Sequence, residues 1–297
     1  MAITHRTFVL LTFPISCISI ALLATALASP NWIQARALYE EPTYDLSDIN
    51  YGLFTGTLTR RILLTPKSFS LHMTCLVDLN ICALSCLGTE EERQEEVRLL
   101  YDTQGDVNAT ECAPVVLSQG PEYITDGQLR KDQFEIKPLP QNDKLVRFDR
   151  DPVFINMGLW ASTIAFIALA LLMATVGAIF SVLNTAGNPV EPILGIMGLF
   201  IWNAIAAVAI DITLILWGIQ YGITLVTNVA LTETIIGLTS TNGLAALGFS
   251  FWILIGADVA HVVNIGLLLY RRHLIRTEPP APTVELKDDS DGAIFLY

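Results

Sequence analysis

Charge is what this sequence has least of. Of its 297 residues only 15% are Asp, Glu, Lys or Arg, 29 acidic and 17 basic, where soluble domains average about 25%. The shortage is uneven. Between Arg36 and Asp151 lie 20 acidic and 12 basic residues, so that segment faces water. The formal net charge of −12 supplies no basic face and gives no support to a nucleic-acid partner. Histidines number four and cysteines five. With no CxxC pair and only His72 near the cysteines, a zinc-type site is disfavoured. Nor does any nucleophile with an adjacent base, metal motif or phosphate loop stand in a working position. The chain is therefore expected to be no enzyme and to carry no cofactor.

What the sequence has instead is four long apolar runs, Phe8 to Ala28, Phe154 to Leu183, Ile193 to Tyr221 and Leu244 to Tyr270. Each holds the roughly 20 apolar residues that one helix needs to cross a hydrocarbon core. There every backbone N–H and C=O must be paired within its own segment, so four runs predict four helices. The expected fold is an all-α, four-helix transmembrane bundle whose large first outer loop has room for a small β-sheet.

Basic residues near the spans set the orientation. Arg6 precedes the first span, and Arg271, Arg272 and Arg276 follow the fourth; the linkers between spans two and three and between three and four contain no Lys or Arg. Both termini are expected to be cytoplasmic in a multi-pass plasma-membrane protein. The division is 1–7 inside, 8–28 span one, 29–153 the outer loop, 154–183 span two, 184–192 a cytoplasmic turn, 193–221 span three, 222–243 a second outer loop, 244–270 span four and 271–297 a cytoplasmic tail. Ala26, Leu27 and Ala28 also have the form of a signal-peptidase site. The run before them exceeds the usual signal core, and retention is the expectation.

Cys75, Cys82, Cys86 and Cys112 lie in the outer loop and Cys17 within span one. Four cysteines in an oxidising compartment predict two disulfides, with three pairings open. Asn108, Ala109 and Thr110 form an N-glycosylation acceptor. The acidic run Glu90 to Glu96 reads as a solvated helical face, while Arg60 to Leu64 and Leu76 to Leu84 are strands or membrane-proximal cover.

Polar residues within the spans are few. Asp258, His261 and Asn264, three apart, form an intramembrane polar cluster with Asp211 of span three as a candidate partner. Neighbours at that spacing meet on a helix, so the acid can contact the imidazole and the imidazole the amide. Such residues face the bundle interior, as a proton or ion relay or as a clamp that fixes packing register, with Asn203, Thr213 and Ser250 as further partners. Small residues at Ala161 and Ala165, Ala174 and Ala178, Gly195 and Gly198, and Gly256 and Ala260 suit close helix contact. At the span-three turn, Asn188, Pro189 and Glu191 have the order of a helix cap. The tail is polar and rich in proline, with a terminal Phe295, Leu296, Tyr297 that suits a PDZ-type sheet edge.

Trp32 with Gly52, Leu53 and Phe54 gives the chain a likeness to the claudin-related tetraspan group. It lacks the close cysteine pair that claudins place next. The segment from Asn50 to Gly56, NYGLFTG, more closely resembles the clarin element YGLFHG, matched at Tyr51, Gly52, Leu53, Phe54 and Gly56. Asn184, Gly187, Pro189, Glu191, Gly195, Gly198 and Leu199 resemble the clarin pattern through the turn into span three. In span four Phe251, Trp252, His261, Asn264, Gly266, Leu267 and Leu268 do the same. The long outer loop and the tail depart from vertebrate clarins and suggest a divergent invertebrate member. The resemblance implies a scaffold that organises plasma-membrane microdomains and actin-linked complexes, in sensory cells. Its implied partners are the lipid bilayer, membrane or cytoskeletal proteins, a PDZ protein and further copies of itself. A claudin-like adhesion or barrier component is the alternative, and a transporter or channel using Asp211, Asp258 and His261 the third reading.

Overall fold

The computed structural model describes residues 2–39, 47–60, 66–103, 112, 153–187 and 195–277. In chain order the elements are α1 (Ala2–Ala28), β1 (Ile33–Tyr39), β2 (Ser47–Tyr51), β3 (Thr55–Arg60), β4 (Lys67–Leu76), β5 (Ile81–Ser85), α2 (Glu90–Asp102), β6 (Ile155–Asn156), α3 (Met157–Ala186), α4 (Ile196–Gln220), a π-helical turn (Tyr221–Leu225), α5 (Thr232–Ile235), β7 (Thr239–Ser240), β8 (Ala245–Leu247) and α6 (Phe249–Thr277).

Four of the helices are long and apolar enough to cross a membrane. They form a ring in which α1 and α4 each pack against both α3 and α6. On α3 the buried face is Thr163, Ile167, Ala170, Ala174, Gly177, Ala178 and Ser181, the three-and-four spacing of a single helical stripe. Its small residues let α4 approach, and Asn203 of α4 lies against Gly177. Ala161 and Ala165 turn outward, so that pair does not mark a contact face. Outward positions elsewhere are large and apolar, including Leu172, Ile179, Ile215 and Val259. A soluble bundle would place charge there; hydrocarbon reverses the rule.

An antiparallel sheet caps one end of the ring. Its order is β6-β5-β4-β3-β2-β1-β7, with β8 also paired to β1. The apolar run 244–270 is thereby divided. Ala245–Leu247 pair with β1 and the helix starts only at Phe249; Gly248 between them passes so near the chain that an added Cβ would stand 2.2 Å from the Asn31 carbonyl oxygen. Leu76 to Leu84 likewise resolve into the end of β4, a turn and β5. Arg60 closes β3, and residues 61–65 fall outside the described part.

Sheet and bundle share one core. Trp32, buried beneath β1, stands edge-on to Trp217 of α4 with centroids 5.0 Å apart, and its Nε1 donates to the Ala26 carbonyl at 2.7 Å. Two asparagines start α3 directly on the sheet. Asn156 accepts from Leu159 N at 3.1 Å as an N-cap, and Asn80, in the β4–β5 turn at φ 56°, accepts from Gly158 N at 3.1 Å. Helix starts leave N–H groups without intrahelical partners, and here the hairpin supplies them.

Candidate functional site

The polar residues of the bundle converge on Asn203. Its Nδ2 donates to the Leu199 carbonyl one turn back at 2.8 Å, which turns Oδ1 toward α6. There Oδ1 accepts from His261 Nδ1 at 2.9 Å and from Asn264 Nδ2 at 3.0 Å. With Nδ1 donating, His261 Nε2 is left to accept from Ser19 Oγ of α1 at 2.8 Å, while Asn264 Nδ2 also donates to Ser16 Oγ at 3.0 Å. Five buried side chains thus bind three helices. The fourth is tied beside them: Ser181 Oγ of α3 donates to the Val9 carbonyl at 2.7 Å and lies 2.8 Å from Thr12 Oγ1.

This geometry redistributes the expected cluster. His261 and Asn264 are its centre, but both ring nitrogens are taken by Asn203 and Ser19, and neither is left for Asp258. Asp258 is half-buried and Asp211 exposed, and no hydrogen bond ties either to the clamp among the described residues. Thr213 turns back to its own helix, donating to Ala209 at 3.0 Å. Ser250 Oγ, although buried, has no partner among the described residues.

The Tyr51 to Gly56 element joins sheet to bundle. An added Cβ at Gly52 would sit 2.1 Å from the Ser29 carbonyl oxygen, and one at Gly56 2.4 Å from the Tyr51 Cβ, so both positions exclude any side chain. Leu53 is buried and its carbonyl accepts from Trp160 Nε1 of α3 at 2.8 Å. Phe54 packs edge-on against that indole, centroids 6.4 Å apart. Tyr51 is fully buried, which pushes its phenol above the usual range, and its hydroxyl has no partner among the described residues. Gly187 ends α3, Gly195 precedes α4 and Gly198 is buried on it. Asn108, Pro189, Glu191 and the 278–297 tail lie outside the described residues.

The cap is held by stronger devices. Cys75 pairs with Cys82 across β4 and β5, and Cys86 with Cys112, which selects one of the three pairings. Arg60 of β3 forms a buried ion pair with Glu233 of α5, and Glu233 Oε1 also accepts from Cys112 N at 3.0 Å. The guanidinium lies over the Phe69 ring, 5.6 Å from its centroid. The acidic run is helical and mainly solvated, begun by a capping box between Thr89 and Glu92. Glu96 is the departure. It is half-buried, accepts from Ser85 Oγ, and burial pushes its carboxyl above the ordinary range. Among the described residues no group of three or more His, Cys, Asp or Glu converges on a metal position.

Sequence reading missed Ser16, Ser19 and the Arg60–Glu233 pair. Serines recur in membrane helices for many reasons, and the two ion-pair partners lie 173 positions apart. A signal existed only for Glu233, the single acid in the 222–243 loop.

No family model matches the chain. Human Clarin-3 is 22% identical to it over 174 residues, covering 58% of this chain and 77% of that protein. Together with the four apolar helices, this similarity makes the chain a clarin-like tetraspan membrane protein.

Proposed function

We propose that this clarin-like tetraspan protein is a plasma-membrane scaffold, a divergent clarin that organises microdomains and actin-linked complexes in sensory cells, and not an enzyme. The observation that carries the reading is the clamp. Both imidazole nitrogens, the Asn203 amide and the Asn264 Nδ2 are spent on partners within or across the helices, and only Asn264 Oδ1 has no partner among the described residues. A proton path needs groups free to exchange partners; a clamp needs groups that are committed. The two disulfides suit an oxidising compartment for the sheet, which supports an outward cap, Asn108 glycosylated on the same side and both termini inside. The tail beyond Thr277 then faces the cytoskeleton, with its Phe295, Leu296, Tyr297 end open to a PDZ domain.

Proximity labelling in native cells tests this, with one label after Tyr297 and another near Asn108. Recovery of actin regulators from the inner label alone is expected. Recovery of junction components at both faces would instead favour adhesion, a reading to which the 76% exposed Val77 on the β4–β5 turn lends support as an apolar tip. For the transport reading, a pH-dependent current abolished by Asp258→Asn with surface delivery intact would overturn the scaffold.

A further inference from the structure

A cleft of about 740 Å³ opens where the cap meets the bundle. Its walls are apolar, from Leu79 and Ile81 of the hairpin, Phe154 and Leu159 at the start of α3, and Ile223 of the π turn. Single π turns are frequent at functional sites, and this one, which ends α4, places Ile223 and Thr224 on the cleft. Its floor is Gln220 and Thr224, 1% and 2% exposed. Gln220 Oε1 accepts from Asn156 N at 3.2 Å and its Nε2 donates to Thr224 Oγ1 at 3.0 Å. An amide carries two N–H donors and a hydroxyl one. The second Gln220 hydrogen and the Thr224 proton therefore have no acceptor among the described residues. Two buried donors thus line a mainly apolar cleft with no protein acceptor bonded to them among the described residues.

The rim reverses the polarity. Asp102 and Asn80 present oxygens, and no Lys, Arg or His lines the cleft among the described residues. The hollow is also continuous with the bilayer-facing side of α4. Ile215, Ile219 and Ile223 are 60%, 42% and 54% exposed and spaced by four, so they run down one face of the helix as an apolar track.

We propose that this cleft binds one lipid with an uncharged head, an acylglycerol. Its ester carbonyl accepts from Gln220 and Thr224, its free hydroxyl donates to Asp102 or Asn80, and its chain follows the isoleucine track into the bilayer. A phosphate head is disfavoured because the rim carries a carboxylate and no cation. The assignment requires only that the helices cross a membrane, and it stands whether or not the protein is a scaffold.

The test uses the full chain in phosphatidylcholine nanodiscs containing a small fraction of a photoactivatable diacylglycerol, with a photoactivatable phosphatidylcholine as the second arm. Labelling of the diacylglycerol arm is expected on peptides containing 153–159 and 220–224. Leu159→Trp fills the cleft and should lower it at least about ten-fold, and Thr224→Val, which deletes one hydroxyl, about five-fold. Ile223→Trp fills the hollow from the other wall if Leu159→Trp loses its disulfides or its monodispersity. Label spread evenly over the helix surfaces and indifferent to these substitutions would overturn the site. Equal, cleft-dependent labelling by phosphatidylcholine would overturn the uncharged head.

Discussion

The bundle and its cap are built from the same chain by opposite means. The bundle is fixed by five small or neutral polar side chains meeting at Asn203, the cap by a buried ion pair, two disulfides and a capped acidic helix. Between helices in lipid there is little hydrophobic drive, since the solvent is as apolar as the side chains. What selects one register is the cost of leaving an amide or imidazole unpaired. Facing water, the sheet gains from burying Trp32, Ile49, Leu58 and Leu71, but its long excursions carry a large chain entropy that cross-links reduce. Polar contacts thus choose an arrangement in the bundle, and cross-links hold one together in the cap.

That contrast is broken most sharply at Glu233. Glu233→Leu removes the carboxylate that Arg60 and Cys112 N share inside the cap, and should cost about 3–5 kcal/mol. Thermal unfolding of the detergent-purified protein, read from tryptophan fluorescence, measures it. The double variant Arg60→Met with Glu233→Leu should recover much of the loss; no recovery would mean that the pair itself stabilises the cap. Next come the disulfides. The chain-entropy term for the 26-residue separation is about 3.5 kcal/mol and for the 7-residue one about 2.4, so Cys86→Ser should lower the midpoint further than Cys75→Ser in the same assay.

Within the bundle the steps are smaller. Asn203→Leu removes the acceptor shared by His261 and Asn264. Interhelical hydrogen bonds in membranes average about 0.6 kcal/mol, so the expected loss is about 1–2 kcal/mol, seen as a lower midpoint in a detergent series. A drop as large as that of Glu233→Leu would erase the contrast. The smallest effect is pH-dependent and belongs to Glu96. Its folded pKa is raised, so the folded cap binds more protons than the unfolded chain in the window just above the ordinary carboxylate value, and stability falls as pH rises through it. Glu96→Gln should flatten that slope and raise the midpoint slightly at neutral pH. A variant that keeps the wild-type slope would place the titration elsewhere.

Four spans were legible because length and hydropathy alone decide them. His261 and Asn264 were legible because such residues are rare in hydrocarbon and stand out singly. Their partners were not: i, i+3 spacing pointed to Asp258, yet the imidazole bonds across helices, and a pairing between Ser19 and His261 leaves no local trace. The cap was half visible. Alternation was too weak to separate strand from cover around Leu76 to Leu84, and cysteine counting cannot choose among three pairings. In the Tyr51 to Gly56 element the resemblance marked the residues without the reason, which is that the Ser29 carbonyl and Tyr51 Cβ leave no room for side chains at Gly52 and Gly56.

The clamp also imposes an order on the chain's birth. Ser16 and Ser19 enter the bilayer first, yet the residues that complete their hydrogen bonds, His261 and Asn264, are translated more than 240 positions later. Asn203 arrives between them with its carbonyl oxygen still unanswered. Until α6 inserts, Asn203 Oδ1 has neither of the donors it accepts from in the finished bundle. A chain truncated before Phe249 therefore lacks every cross-helix bond of the clamp, since each has one end on α6.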